Sequence, residues 1–234
     1  MTLTAFVPAR SGSKRLPQKN IKSLAGKPLV LWTLEACMHS ASVDEVIFST
    51  DSEEYWSLAK NHFKSDKLVL DDRTAEEAGD KVKIFDYLKS SVDKIFSDRE
   101  GDFLMALPTM PLRSSKHVDE AVKLYKSTNK AVFSAVEYDF AISFAFTTKH
   151  DNDWSPVFPN SPMITGNTRS QDQVKAYHPN GAIYIRKIDD LRDKNLATIY
   201  QSGIPYLMDK TRSVDIDTID DFVVAEAIVN SNLT

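Results

Sequence analysis

The chain has 234 residues, 42% of them hydrophobic and 26% charged, with a net charge of −4. That length buries a full core without disulfides, and the balance excludes a disordered chain, a collagen-like chain and a small cysteine-stapled scaffold. A single cysteine, Cys37, excludes an internal disulfide and a cysteine-based zinc cluster, and it fits a reducing compartment.

No uncharged stretch exceeds 15 residues, which is too short for a membrane-spanning helix. Met1–Val7 has neither the basic nor the long apolar region of a secretion signal. The acidic balance argues against general nucleic-acid binding. These features predict a soluble cytoplasmic protein that binds neither nucleic acid nor membrane.

Thr2–Val7 is a short apolar run rich in β-branched residues and reads as a strand. Ala9–Asn20 follows, with Gly12, Ser11, Ser13 and Pro17, and cannot be regular structure. Pro28 suits the first position of a helix with an apolar face of Leu29, Leu31, Trp32, Leu34 and Ala36. Glu45–Ser49 is a second strand. Ser52 is a candidate N-cap, with Glu53 and Glu54 in the first turn of a helix running to about His62. Lys67–Leu70 is a third strand, and Lys81–Phe96 a helix with apolar Val82, Ile84, Phe85, Leu88, Val92 and Ile95. Asp102–Leu107 is a strand, Ser114–Ser127 a helix, and Ala131–Val136 a strand.

Strands alternating with helices predict an α/β fold with an open, mostly parallel, doubly wound sheet. The rhythm changes between Tyr138 and about Ala176, an insertion without a βαβ unit. Such a stretch in a compact domain is usually functional or an interface. Gly181–Arg186 and Ile204–Met208 read as strands, the second at an edge. Thr218, with Asp221 three residues on, opens a last helix to about Asn230. The whole of 1–234 reads as a single domain with 138–176 inserted in it.

Charge is unevenly placed. The first acidic residue is Glu35, and before it stand Arg10, Lys14, Arg15, Lys19, Lys22 and Lys27. Such a field attracts anions. In parallel α/β sheets ligands bind at the carboxyl ends of the strands, which is where the Ala9–Asn20 loop falls. A polyphosphate needs free backbone N–H groups, small residues that allow close approach, and cations. Ser11, Gly12 and Ser13 supply the first two, and Arg10, Lys14 and Lys19 the third. The spacing is neither a Walker A loop nor a dinucleotide fingerprint. An exposed basic turn is the alternative reading.

The run Pro8-Ala9-Arg10-Ser11-Gly12-Ser13-Lys14-Arg15-Leu16-Pro17-Gln18-Lys19-Asn20 resembles the acylneuraminate cytidylyltransferase (CMP-sialic acid synthetase) family. The likeness continues in Gly26-Lys27-Pro28-Leu29, Ser49-Thr50-Asp51, Pro108–Arg113, Asn180–Tyr184 and Asp215-Ile216-Asp217-Thr218, so it spans nearly the whole chain. It implies transfer of CMP from CTP to the anomeric hydroxyl of a sugar acid, with release of pyrophosphate. It further implies that Arg10, Lys14 and Lys19 bind the triphosphate together with Ser11, Gly12, Ser13 and Asn20, and that Arg73 is a further nucleotide contact, a surface-loop arginine being the alternative reading. Arg10, Lys19, Asp215 and Asp217 are then the catalytic set.

Asp215 and Asp217 stand two residues apart. On an extended segment they project to one side, and two carboxylates beside a polyphosphate suit Mg²⁺. The resemblance implies that they bind Mg²⁺ and that one helps deprotonate the sugar hydroxyl. It places Arg169, Gln171, Asn180 and Tyr184 on the sugar side and makes the insertion a dimerisation arm of a homodimer.

The chain departs from the family pattern at three positions. Leu107 stands where a glutamine is common, Ser170 where a second arginine is, and Val174 where a proline is. Cys37 reads as core rather than as a nucleophile, and the histidines have no ligand spacing. The predicted partners are CTP and a nonulosonic acid. Pseudaminic, legionaminic or 3-deoxy-octulosonic acid is the alternative substrate, and a non-catalytic nucleotide-binding protein on the same fold the alternative class.

Overall fold

The computed structural model describes residues 2–97, 99–148 and 153–231. In chain order the first elements are β1 (Leu3–Pro8), a hairpin of β2 (Ser23–Leu24) and β3 (Lys27–Pro28), α1 (Leu29–Met38), β4 (Glu45–Thr50), α2 (Glu53–Phe63) and β5 (Leu68–Asp72). Next come α3 (Ile84–Ser90), α4 (Val92–Phe96), β6 (Asp102–Met105), α5 (Ser115–Thr128) and β7 (Val132–Glu137). The insertion carries β8 (Phe146–Thr148), β9 (Trp154–Pro156) and α6 (Pro162–Thr165). The chain then continues through β10 (Tyr177–Lys187), β11 (Ile204–Leu207) and α7 (Ile219–Asn230).

Seven strands form one sheet in the order β11-β7-β10-β6-β1-β4-β5. β1 pairs in parallel with β4 and β6, β4 with β5, and β11 with β7, whereas β10 runs antiparallel to both of its neighbours. The sheet is therefore open and mostly parallel, as the alternation of elements predicts.

The central strands β1, β4 and β6 are buried on both faces, so they read as continuous apolar runs. Side chains still alternate between the faces. Ala5, Val7, Val46, Phe48, Leu104, Ile183 and Ile185 face a core shared with α1, α2 and α5. Phe6, Ile47, Phe103, Met105 and Tyr184 face a second core closed by α3, α4 and the turn around Ile188 and Leu191.

A third, smaller cluster decides where the two ends of the chain lie. Leu24 of β2, Leu29 of α1 and Leu112 pack with Ile216 and with Phe222 and Ala225 of α7. The β2–β3 turn donates the Ala25 N–H to Glu226 Oε1 of α7 at 3.0 Å. The last helix is thereby fixed against the N-terminal hairpin.

Several boundaries differ from the sequence expectation. The predicted helix Lys81–Phe96 is two helices that begin at Ile84 and break at Ser91. Ser90 Oγ donates back to Tyr87 O at 3.1 Å, a competing bond that favours such a break. Pro28 is the N-cap of α1 rather than its first helical residue, because it also closes the hairpin. That hairpin turns at Ala25 and Gly26, both with positive φ (47° and 81°), as a tight type I′-like connection requires. β10 is longer than Gly181–Arg186 because a register shift between Pro179 and Tyr184 lets Pro179 stay within the sheet.

Candidate active site

Because β1, β4, β5 and β6 are parallel, their carboxyl ends share one edge of the sheet. The segments leaving them are the loop from Ala9, Asp51, Arg73 and Leu107–Arg113. Between them lies a cleft of about 290 Å³, lined among others by Arg10, Ser13, Lys14, Lys19, Arg73 and Thr109.

Each cation of the first loop meets a carboxylate from a distant part of the chain. Arg15 reaches Asp217 Oδ2 at 2.7 Å, and Lys19 Nζ reaches Asp217 Oδ1 at 3.1 Å. Lys19 is buried and also donates to Ile216 O at 2.7 Å. Arg10 donates to Asp80 Oδ1 at 2.6 Å, and Lys14 pairs with the other oxygen of the same carboxylate. These two bonds, Lys14's first, hold Asp80 below the usual carboxylate range. Asn20 is buried and donates its amide to Arg10 O at 3.0 Å, so it braces the loop.

Ser11 differs from expectation. Its N–H and its hydroxyl both donate to Asp51, each at 2.8 Å, so this amide is directed at a carboxylate of the protein. The Ser13 N–H turns back to Ser11 O at 3.0 Å. Gly12 has nothing within 4 Å of where a Cβ would stand, which leaves room beside the loop.

Asp215, Ile216 and Asp217 run beside Thr109, whose carbonyl accepts the Ile216 N–H at 2.8 Å. Ile216 is fully buried in the third cluster while the aspartates flank it on the other side, the alternation of an extended segment. Asp215 is open to solvent on one side, but the protein crowding behind it raises its pKa. Asp217 and Asp221 add to that rise, whereas a hydrogen bond with Thr109 and the charge of Lys19 oppose it. Among the described residues no cluster of three acids, histidines or cysteines exists. Two carboxylates nevertheless fit Mg²⁺, which keeps several waters and binds through one or two carboxylates plus phosphate oxygens.

Arg73 is buried and lies over the Tyr87 ring at 4.7 Å. One of its terminal nitrogens donates to Glu77 O, while its Nε has no partner among the described residues. Burial lowers its pKa, against the pull of Tyr87 and of the Asp71, Asp51 and Glu77 carboxylates.

The residues expected on the sugar side do not join this cleft. Asn180 donates to Ser213 Oγ at 2.9 Å and accepts the Ala182 N–H at 3.1 Å, so its amide holds the bend of β10. Tyr184 is buried, with its hydroxyl on that of Tyr200 at 3.2 Å. Arg169 pairs with Asp172 at 3.8 Å within the insertion. Gln171 lines a separate hollow there, with Tyr138, Phe140 and Val174.

Sequence reasoning missed Asp80 as a cleft residue. It sits in a Gly-Asp turn far from the cations it meets, and no local pattern marks it. Arg113 is fully inside and braces Leu107 O and Thr33 Oγ1, so it is neither a free nucleotide contact nor a flanking surface charge.

A profile of the cytidylyltransferase family matches residues 4–210. The chain belongs to this family. It is 36% identical over 231 residues to the N-acylneuraminate cytidylyltransferase of Escherichia coli, covering 97% of this chain and 52% of that protein. The chain therefore spans about half the length of the curated relatives it matches first. It is 28% identical to the pseudaminic acid cytidylyltransferase of Campylobacter jejuni, covering 97% of this chain and 96% of that one. The structure of CMP:2-keto-3-deoxy-manno-octonic acid synthetase complexed with CTP superposes with a TM-score of 0.69 at 17% identity, over 99% of both chains. That likeness establishes the fold.

Proposed function

We propose that this cytidylyltransferase transfers CMP from CTP to the anomeric hydroxyl of an N-acylneuraminate-type nonulosonic acid. The sugar oxygen bonds to the α-phosphorus, the bond to the β-phosphate oxygen breaks, and pyrophosphate leaves with that electron pair. One of the two aspartates accepts the hydroxyl proton.

The observation that carries the reading is the meeting of Lys19 and Arg15 with Asp217, across roughly two hundred residues of chain, at the carboxyl edge of the sheet. Little covalent chemistry is asked of the protein in phosphoryl transfer, so positioning and charge stabilisation dominate. Arg10, Lys14 and Lys19 hold the triphosphate, with Gly12 giving it room. Asn20 keeps the loop in shape, and Arg73, whose Nε has no partner among the described residues, contacts the nucleotide from the β5 side. Asp215 and Asp217 would hold Mg²⁺, which neutralises phosphate charge when bound.

The insertion 138–176 is the dimerisation arm in this reading. Phe140, Phe146, Ile164 and Val174 are at least half exposed on it, an apolar surface that a second copy would cover. Arg169 and Gln171 then serve the partner's cleft, where a guanidinium fork suits the sugar carboxylate. Free Cys37 fits a cytoplasmic enzyme.

A second reading keeps the chemistry and changes the sugar to pseudaminic acid. The match to nearly the whole Campylobacter jejuni enzyme favours it. The test is a pyrophosphate-release screen with CTP and several nonulosonic acids, with and without Mg²⁺. Magnesium-dependent release with one or more of these acids is expected; silence with all of them overturns the proposal. Sedimentation should give twice the chain mass, falling to one chain in Phe140→Asp/Ile164→Asp.

A further inference from the structure

Arg10 and Lys14, two of the three cations assigned to the triphosphate, are both held by one carboxylate. Asp80 places one oxygen on Arg10 at 2.6 Å and the other on Lys14. Two oxygens of one anion bridging two cations is also how a phosphate group would engage them, since charge-assisted bonds of this length serve carboxylate and phosphate alike. Asp80 is about one-third exposed and lines the same cleft.

Its segment is firmly anchored. Lys94 grips both carboxylate oxygens of Glu77 at 3.1 and 2.8 Å and also donates to Asp72 O at 2.9 Å. Thr74 and Glu77 exchange bonds at 2.8 and 3.2 Å. Asp80 is thus carried to the cations on a braced turn, not on a free loop end. Other charges near this pair add little competition: Asp51 is engaged by Ser11, and Asp217 by Arg15 and Lys19.

From this geometry we propose that Asp80 is an internal anion that competes with the polyphosphate for Arg10 and Lys14. It keeps the two cations gathered at the cleft when it pairs with them. It opposes pyrophosphate retention after the transfer, because it re-forms both bonds as the product leaves. The inference rests on the triphosphate reading above. Asp80 is a positioning residue in this account, since it acts through the cations.

The experiment measures binding of inorganic pyrophosphate, and its inhibition of turnover, in the wild-type protein and in Asp80→Asn, Asp80→Glu, Lys14→Ala and Lys19→Met. Removing one negative charge beside a bound multivalent anion at a partly exposed site should tighten pyrophosphate roughly three- to tenfold. Asp80→Asn should therefore lower the dissociation and inhibition constants by that factor and slow release. Asp80→Glu should restore values near wild type. Unchanged or weaker binding in Asp80→Asn, with Lys14→Ala and Lys19→Met still weakening it, overturns the competition and leaves the cleft assignment standing. If neither lysine variant changes pyrophosphate binding, the triphosphate reading itself fails and the competition with it. Thermal melting of Asp80→Asn within a few degrees of wild type separates either result from misfolding.

Discussion

Replacing Ile216 by alanine tests whether the third apolar cluster sets the position of the two aspartates. Ile216 is fully buried between Asp215 and Asp217, against Leu24, Leu29, Leu112 and Phe222. Deleting three carbons from such a site removes their transfer free energy and leaves a cavity, at about 2–5 kcal/mol. For a chain of this size each kcal/mol lowers the melting temperature by about 2–4 °C, so a loss of about 3 kcal/mol gives about 6–12 °C. Turnover should fall far more than stability requires. Ile216 fixes the segment that carries both acids, and a misplacement of about 1 Å can cost about a hundredfold. The assay pairs thermal denaturation with pyrophosphate release at 25 °C, far below either melting point. Leu34→Ala, equally buried in the larger core, is the control, with a similar thermal loss and near-normal turnover. Wild-type turnover in Ile216→Ala beside the expected thermal loss would refute the claim that this cluster positions the acids.

Asp217→Asn should abolish measurable turnover, a loss of at least about a hundredfold, while the melting temperature stays within a few degrees. Asp217 is itself one-third exposed, its partner Arg15 lies mostly in solvent, and Lys19 keeps its bond to Ile216 O, so the lost pairs cost little stability. Asp215→Asn should behave alike, and near-normal activity in either contradicts the metal assignment. Glu77 gives a pH dependence: the hydrogen bond from Lys94, with help from Thr74 and against burial, holds its carboxyl below the ordinary 4.5. A depressed carboxylate stabilises the fold above the unfolded value and loses that contribution as pH falls through the lower folded value. Urea midpoints between pH 3 and 7 should therefore lose part of their acid limb in Glu77→Gln, and superimposable profiles would contradict it. Cys37 is fully buried, and burial pushes its thiol up to about 11. Iodoacetamide at pH 8 should leave the native protein unmodified and label it once unfolded; labelling of folded protein would contradict this placement.

Much of the molecule is legible before any coordinates because its local and long-range preferences agree. The parallel sheet follows from the alternation of apolar strands and helices, and the loop after β1 falls at the ligand edge by topology alone. The Thr218 cap was readable, and its side chain and that of Asp221 do satisfy each other's backbone. The hairpin at Ala25–Gly26 was not, since two-residue strands give no periodicity and Pro28 reads equally well as a helix start. The break at Ser91 hides inside a continuous helical pattern, because Leu88, Val92 and Ile95 keep their spacing across it. Only the family resemblance puts Asn180 and Tyr184 on the sugar side. Their amide and hydroxyl are taken by Ala182, Ser213 and Tyr200, partners no sequence spacing announces. Asp80 illustrates the same limit from the other side: its role depends on a contact with residues 66 and 70 positions earlier.

The fastening of α7 onto the N-terminal hairpin has a consequence for biosynthesis. A ribosome that has translated two hundred residues has released every arginine and lysine of the first loop but neither Asp215 nor Asp217. Joining Lys19 to Asp217 closes a span of 198 residues, so this contact forms late and slowly. Nascent or prematurely terminated chains should accordingly be inert, and clipping the last helix from finished protein should silence it while most of the sheet survives.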